Sequence, residues 1–118
     1  MDVEDSTLLI GIVGPCSSGK STLAQGLRKR GYRVKEIMQE HCAAPDMWRR
    51  ITNPDVLVYL DVSKAVAMER EHMVKPSSWW DEERDVRLVH ARQHCDIYVN
   101  TSSLSPAEVL AEVLGSLK

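Results

Sequence analysis

Leu8-Leu9-Ile10-Gly11-Ile12-Val13-Gly14-Pro15-Cys16-Ser17-Ser18-Gly19-Lys20-Ser21-Thr22 is the stretch that decides the fold. Its first six residues form a short apolar run with β-branched members, ended by a glycine, as expected of a strand buried on both faces of a parallel sheet. The run flows into a full match to G-x-x-x-x-G-K-[ST], from Gly14 to Ser21, with Thr22 next. Beyond it, Leu23 and Leu27 fall four apart, the cations Arg28, Lys29 and Arg30 gather, and Gly31 supplies a stop. This predicts a helix over 19–30. A buried strand, a glycine-bounded loop and a helix in that order bring backbone N–H groups and the positive end of a helix to one point, a cradle for phosphate oxygens.

Each residue of the loop then has an expected part. Gly14 and Gly19 permit backbone angles and close approach that a side chain forbids. Main-chain amides over 17–22, including those of Ser17, Ser18 and Thr22, make an anion nest. Lys20 reaches the β and γ phosphates of a nucleoside triphosphate, and the Ser21 hydroxyl is a ligand for Mg2+. Cys16 reads as a small loop filler, or as a thiol made oxidation-sensitive by the helix end.

Working outward, Tyr32, Val34 and Ile37 predict a second strand over 32–38. Residues 39–55 read as a loop with a short helix over 46–50, and Asn53-Pro54-Asp55 as a turn into a third strand, 56–60, followed by Asp61. Ser63 caps a helix running to about Met73, Lys75-Pro76-Ser77 breaks it, and a helix from Ser78, with a capping box to Asp81, continues to about His94. Residues 96–100 make a fourth strand. The last helix starts with Ser105 at the N-cap, Pro106 at N1 and Glu108 at N3, and carries Leu110, Val113, Leu114 and Leu117 as its apolar stripe. Strands alternating with helices predict an α/β, three-layer fold: a small parallel sheet of about four strands in the order 2-1-3-4, flanked by helices. The 118 residues are expected to form a single domain, 1–118.

Composition narrows the function. Apolar residues make up 43%, charged residues 27%, and the formal net charge is −2, so no nucleic-acid partner is expected. The longest apolar run is far below a membrane span, and the acidic start, Met1-Asp2-Val3-Glu4-Asp5, is unlike a secretory signal. The chain is read as cytoplasmic, without a membrane partner, and as a monomer or small homo-oligomer. Cys16, Cys42 and Cys95 give neither a disulfide framework nor a zinc spacing.

The segment 14–22 after an apolar strand resembles the phosphate loop of the small P-loop kinases of nucleosides, nucleotides and related metabolites. Two further stretches are similar: 54–63, with Ala67 and Arg70 beyond, to the late strand and following helix of thymidylate- and adenylate-kinase-like proteins, and 95–109 to the last strand and helix of cytidylate and dephospho-coenzyme A kinases. The resemblance implies a P-loop NTPase fold, Mg2+ and ATP as cofactors, Arg70 at the start of an arginine-bearing lid, and residues 101–104 beside the adenine base. Such kinases have one more strand between the second and third strands predicted here, and a longer lid.

Phosphoryl transfer needs carboxylates for Mg2+ and for the acceptor. Glu40, after the second strand, and Asp61, after the third, lie at the carboxyl edge of the sheet where open parallel sheets bind ligands; each also reads as a plain loop acid or helix cap. His41 reads as a substrate ligand or a loop histidine. Trp48, Arg49 and Arg50 read either as a clamp for a planar or anionic acceptor, or as a core ring beside surface cations. Trp79 and Trp80 cannot both enter one narrow core, and Arg84, Arg87 and Arg92 read mainly as a solvated face. The catalytic set is therefore expected to be Lys20, Glu40, Asp61 and Arg70, with Ser21, Glu40 and Asp61 toward the metal. The expected activity is a kinase acting on a small-molecule acceptor, with a nucleotide hydrolase or switch and a non-catalytic nucleotide-binding module as alternatives. No Asn/Thr-Lys-x-Asp guanine-reading motif is present, so ATP is the expected nucleotide.

Overall fold

A computed structural model describes residues 8–71 and 77–117. Four strands, β1 (Leu9–Val13), β2 (Arg33–Glu36), β3 (Val56–Asp61) and β4 (Ile97–Asn100), pair in the order β2-β1-β3-β4. All three pairings are parallel, with Ile12 opposite Glu36 and Val58, and Asp61 opposite Asn100. The α/β fold and its 2-1-3-4 order are as the sequence predicts. Asp55 fixes the start of β3 by a reciprocal pair: its N–H donates to the Leu9 carbonyl and its carboxylate accepts from the Leu9 N–H, both at 2.8 Å.

Alternate residues of the central strands feed two cores. On one face Ile10, Ile12, Val58 and Leu60 pack with Leu23 and Leu27 of helix α1 (Lys20–Arg28) and with Val109 and Val113 of the last helix. On the other face Val13, Leu57 and Tyr59 pack with Ile37, Trp48, Leu88 and Ala91. A third cluster gathers Val62, Trp80, and Ala67 and Met68 of helix α2 (Lys64–Glu71). Gly11 has a packing reason to be glycine, since a Cβ there would meet Ile37 Cδ1 at 2.7 Å and Pro54 Cβ at 2.9 Å.

Three segments differ from expectation in form. The helix expected over 78–94 is three pieces: α3 (Ser77–Glu82), a π-type turn (Glu83–Arg87) and α4 (Val89–His94). The Leu88 N–H bonds the Glu83 carbonyl, five residues back, which widens the turn and re-aims the side chains before and after it. The short helix expected over 46–50 is likewise a π-type turn, Trp48–Thr52, closed by the N–H of Asn53 in left-handed conformation (φ 43°). The second strand ends at Glu36, and Gln39–His41 forms a 3-10 turn. The expected helix end near Met73 and the Lys75-Pro76 break lie outside the described residues.

The final helix, α5 (Pro106–Leu117), begins with the predicted capping box. Ser105 N–H donates to Glu108 at 2.8 Å, and the Glu108 N–H donates back to Ser105 Oγ at 3.2 Å. Among the described residues no helix is long and apolar enough to cross a membrane.

Candidate functional site

Where β1 ends, the backbone turns through Gly14, Ser17 (φ 68°) and Gly19 (φ 100°) into α1. A Cβ on Gly14 would lie 2.2 Å from the Leu60 carbonyl oxygen of β3, so only glycine lets the loop leave the sheet this close to its neighbour strand. Gly19, in the left-handed region, precedes α1, and no side chain among the described residues caps that helix. The first-turn amides of α1 have no carbonyl partner within the helix, and its positive end is open to an anion.

Lys20 is buried beneath this loop. Its Nζ donates to the Gly14 carbonyl at 2.8 Å and the Pro15 carbonyl at 3.4 Å, and pairs with Glu40 Oε2 at 2.8 Å. Glu40 is itself only 1% exposed, and its second oxygen, Oε1, has no hydrogen-bond partner among the described residues. Ser18 Oγ is also buried without a partner among the described residues. Buried polar atoms are normally paired, so each of these two atoms keeps hydrogen-bonding capacity for a further polar group. Ser21 Oγ donates to Glu36 Oε1 at 2.7 Å. Lys20, Ser21, Glu36, Glu40 and His41 line one cavity of about 340 Å³.

A second cavity, also about 340 Å³, opens on the other side of the loop between Ser18, Thr22, Leu23, Arg70, Thr101 and Leu104. Arg70 ties its walls together: Nη1 donates to the Ser17 carbonyl at 2.8 Å, and Nη2 to the Thr101 carbonyl at 2.9 Å. Thr101 Oγ1, in turn, donates to the Ser18 carbonyl at 2.9 Å. A polar seam on the loop side and apolar walls from Leu23 and Leu104 suit a planar heteroaromatic ring next to phosphates.

Asp61 lies in a different setting from the one expected for a metal ligand. Arg84 grips its carboxylate with Nε at 3.0 Å and Nη2 at 2.8 Å, Tyr98 OH donates at 2.6 Å, and the Val62 N–H donates at 2.9 Å. Burial pushes its acidity down, but the hydrogen bonds from Arg84, Tyr98 and the Val62 amide outweigh this and hold the carboxyl below its ordinary range. The Arg84 guanidinium moves further up, chiefly through the same bond to Asp61. Asp61 is thus saturated by protein donors.

Trp48, Arg49 and Arg50 are not brought to the loop. Trp48 is a core ring on the far face of the sheet, where its Nε1 donates to His90 Nδ1 at 3.1 Å; Arg49 lies over that ring, and Arg50 pairs with Asp46 at 3.2 Å. Indole size and the apolar face of a parallel sheet outweigh the stacking role. His41, by contrast, stands beside Glu40, Nε2 to Oε2 at 3.8 Å.

Two further acids reach the loop. Glu83 is buried and accepts from the Cys16 N–H at 3.1 Å and the Cys16 thiol at 3.5 Å. Glu36 holds Ser21, as above. The signals were faint but physical: Glu83 and Arg84 follow buried Trp80 by three and four residues and so share its inward face, and Glu36 ends a parallel strand at the ligand-binding edge. No protein-family model matches the sequence, and no curated protein does so either.

Proposed function

We propose that this chain is a small-molecule kinase: it holds the triphosphate of Mg·ATP on residues 14–22 and transfers the γ-phosphoryl group to a small hydroxyl-bearing acceptor. The observation that carries the reading is the uncapped N-terminus of α1 behind Gly19, with the buried ammonium of Lys20 folded under the loop against Gly14, Pro15 and Glu40. The donor set also fits the cation. Ser21 Oγ and Glu36 Oε1, 2.7 Å apart in one cavity, are hard oxygen donors of the kind Mg2+ takes. When bound, Mg2+ supplies charge neutralisation on the transferring phosphate oxygens.

The residues then divide the work. The α1 amides hold and orient the phosphates, Lys20 leaves its loop carbonyls to neutralise charge on the terminal group, and Ser21 with Glu36 holds the metal side. Glu40, relieved of Lys20, accepts the acceptor hydroxyl proton at Oε1. Arg70 keeps the loop docked against Thr101, and the cavity between Leu23 and Leu104 takes the base. The cavity of about 440 Å³ bordered by His41, Trp79, Glu83 and Arg87 adjoins Glu40 through His41 and takes the acceptor. A kinase of this type draws on the cytoplasmic ATP pool, so the reading carries that location with it.

Radiolabelled γ-phosphate transfer to a mixed panel of small alcohols, nucleosides and nucleotides tests it. The expected result is product with one class of acceptor, abolished by Lys20→Ala and lowered about a hundredfold or more by Glu40→Gln, which leaves nucleotide affinity nearly intact. Phosphate release that ignores every acceptor would instead make the chain a hydrolase, and ATP bound but unturned would make it a sensor. Nucleotide affinity unchanged in Lys20→Ala would overturn the reading.

A further inference from the structure

The same edge of the sheet holds a second kind of donor set. Cys16, Glu40 and His41 each place a ligand-capable atom so that all three atoms lie within 4.8 Å of one another. They come from two segments, the loop after β1 and the 3-10 turn Gln39–His41 after β2. We propose that these three residues form a binding site for a late first-row divalent ion of the Zn2+ class, distinct from the oxygen-rich Mg2+ position at Ser21 and Glu36.

Three features carry the assignment. A thiolate, an imidazole and a carboxylate are the mixed donors that zinc and cobalt accept in one sphere, whereas Mg2+ takes oxygen alone and is not drawn to sulfur. Glu40 is held in place by Lys20 through Oε2, and its other oxygen, Oε1, is buried with no hydrogen-bond partner among the described residues, so the carboxylate keeps donor capacity for an ion. Access is one-sided: His41 is exposed and Cys16 half-buried, so an ion enters past the imidazole and reaches Glu40 at the bottom of the site. Three protein donors leave a fourth, water-filled position, the form of an exchangeable rather than a purely structural site.

Binding converts the Cys16 thiol to thiolate, with the proton released to solvent, and takes its sulfur from the 3.5 Å contact with Glu83. The ion then clamps the loop after β1 to the turn after β2. Because Glu40 belongs to both sets of residues, occupancy by Zn2+ and use of Glu40 in phosphoryl transfer exclude each other, so zinc acts as an inhibitor. The site itself needs no nucleotide to form.

Cobalt(II) titration of the nucleotide-free protein under reducing conditions is the direct test. The expected result is a near-ultraviolet thiolate-to-cobalt charge-transfer band that saturates at one ion per chain and is displaced by Zn2+ but not by excess Mg2+. Cys16→Ser removes the band although Cys42 and Cys95 remain, and His41→Ala weakens cobalt affinity by about tenfold or more. Far-ultraviolet circular dichroism confirms that both variants are folded, and Glu36→Gln leaves the titration unchanged. No charge-transfer band, a band retained in Cys16→Ser, or an affinity unaffected by His41→Ala overturns the site. None of these outcomes depends on phosphotransfer, so failure here leaves the kinase reading standing, and the converse holds.

Discussion

Asp61 accepts from four donors, two on Arg84, one on Tyr98 and one on Val62. A carboxylate held this way gives up its proton more readily in the folded than in the unfolded chain. It therefore contributes stability that is fully present above the ordinary aspartate value, near pH 4, and lost as pH falls below that value through the lower one of the folded chain. Asp61→Asn should cost about 2 to 3 kcal/mol at neutral pH, the lower end for a broken buried pair because Arg84 is partly exposed. Urea unfolding measured at neutral and at acid pH checks this: the gap between wild type and Asp61→Asn should close as the acid range is entered. An equal gap at both would mean that the carboxylate charge is not what holds Arg84 and Tyr98. The third strand's apolar run ending in an acid made Asp61 look like a metal ligand. What that run could not convey was Arg84, 23 residues away, arriving on an element whose π-type turn no periodicity announces.

At the scale of elements, what was legible follows from local chemistry. The start of α5 could be read residue by residue because Ser105 and Glu108 bond to each other's backbone, an interaction that needs no tertiary partner. Ser105→Ala should lower stability by about 1 kcal/mol, seen as a reduced urea midpoint at unchanged slope. The β1 run was equally clear, since both its faces are buried and every position is apolar or glycine. Gly11 sharpens the point: its Cβ-free surface receives Pro54 and Ile37, and the proline ring cannot rotate away. Gly11→Ala should destabilise by about 1 to 3 kcal/mol through overpacking, despite the better strand preference of alanine. A neutral result in thermal unfolding would show that β1 and the 53–55 turn can shift apart. Trp48 was ambiguous for the opposite reason, because its partners Leu88, His90 and Ala91 lie some forty residues away and are joined to it only by the fold.

Across the whole molecule, the loop after β1 is where separate parts of the chain meet. Arg70 of α2 bonds the Ser17 carbonyl, Thr101 after β4 bonds the Ser18 carbonyl, Glu83 holds the Cys16 amide, and Glu40 after β2 holds Lys20. The loop itself was readable because G-x-x-x-x-G-K-[ST] is contiguous; Glu36 and Glu83 were not, since their relation to it exists only once β2 and the 83–87 turn are placed. A ligand on this loop therefore acts on contacts that span the fold, and its binding free energy adds to global stability. With Mg·ATP at a hundred times its dissociation constant, the added stability is about 2.7 kcal/mol. For a chain of this length that corresponds to a rise in melting temperature of about 10 °C. Differential scanning fluorimetry should record that rise for wild type and none for Lys20→Ala. Arg70→Ala should melt lower without ligand and still respond to it, because the α1 amides and Lys20 remain. If Lys20→Ala keeps the full rise, the triphosphate is bound somewhere other than residues 14–22; if Arg70→Ala melts like wild type, the strap between α2, the loop and Thr101 contributes nothing to holding the cradle in place.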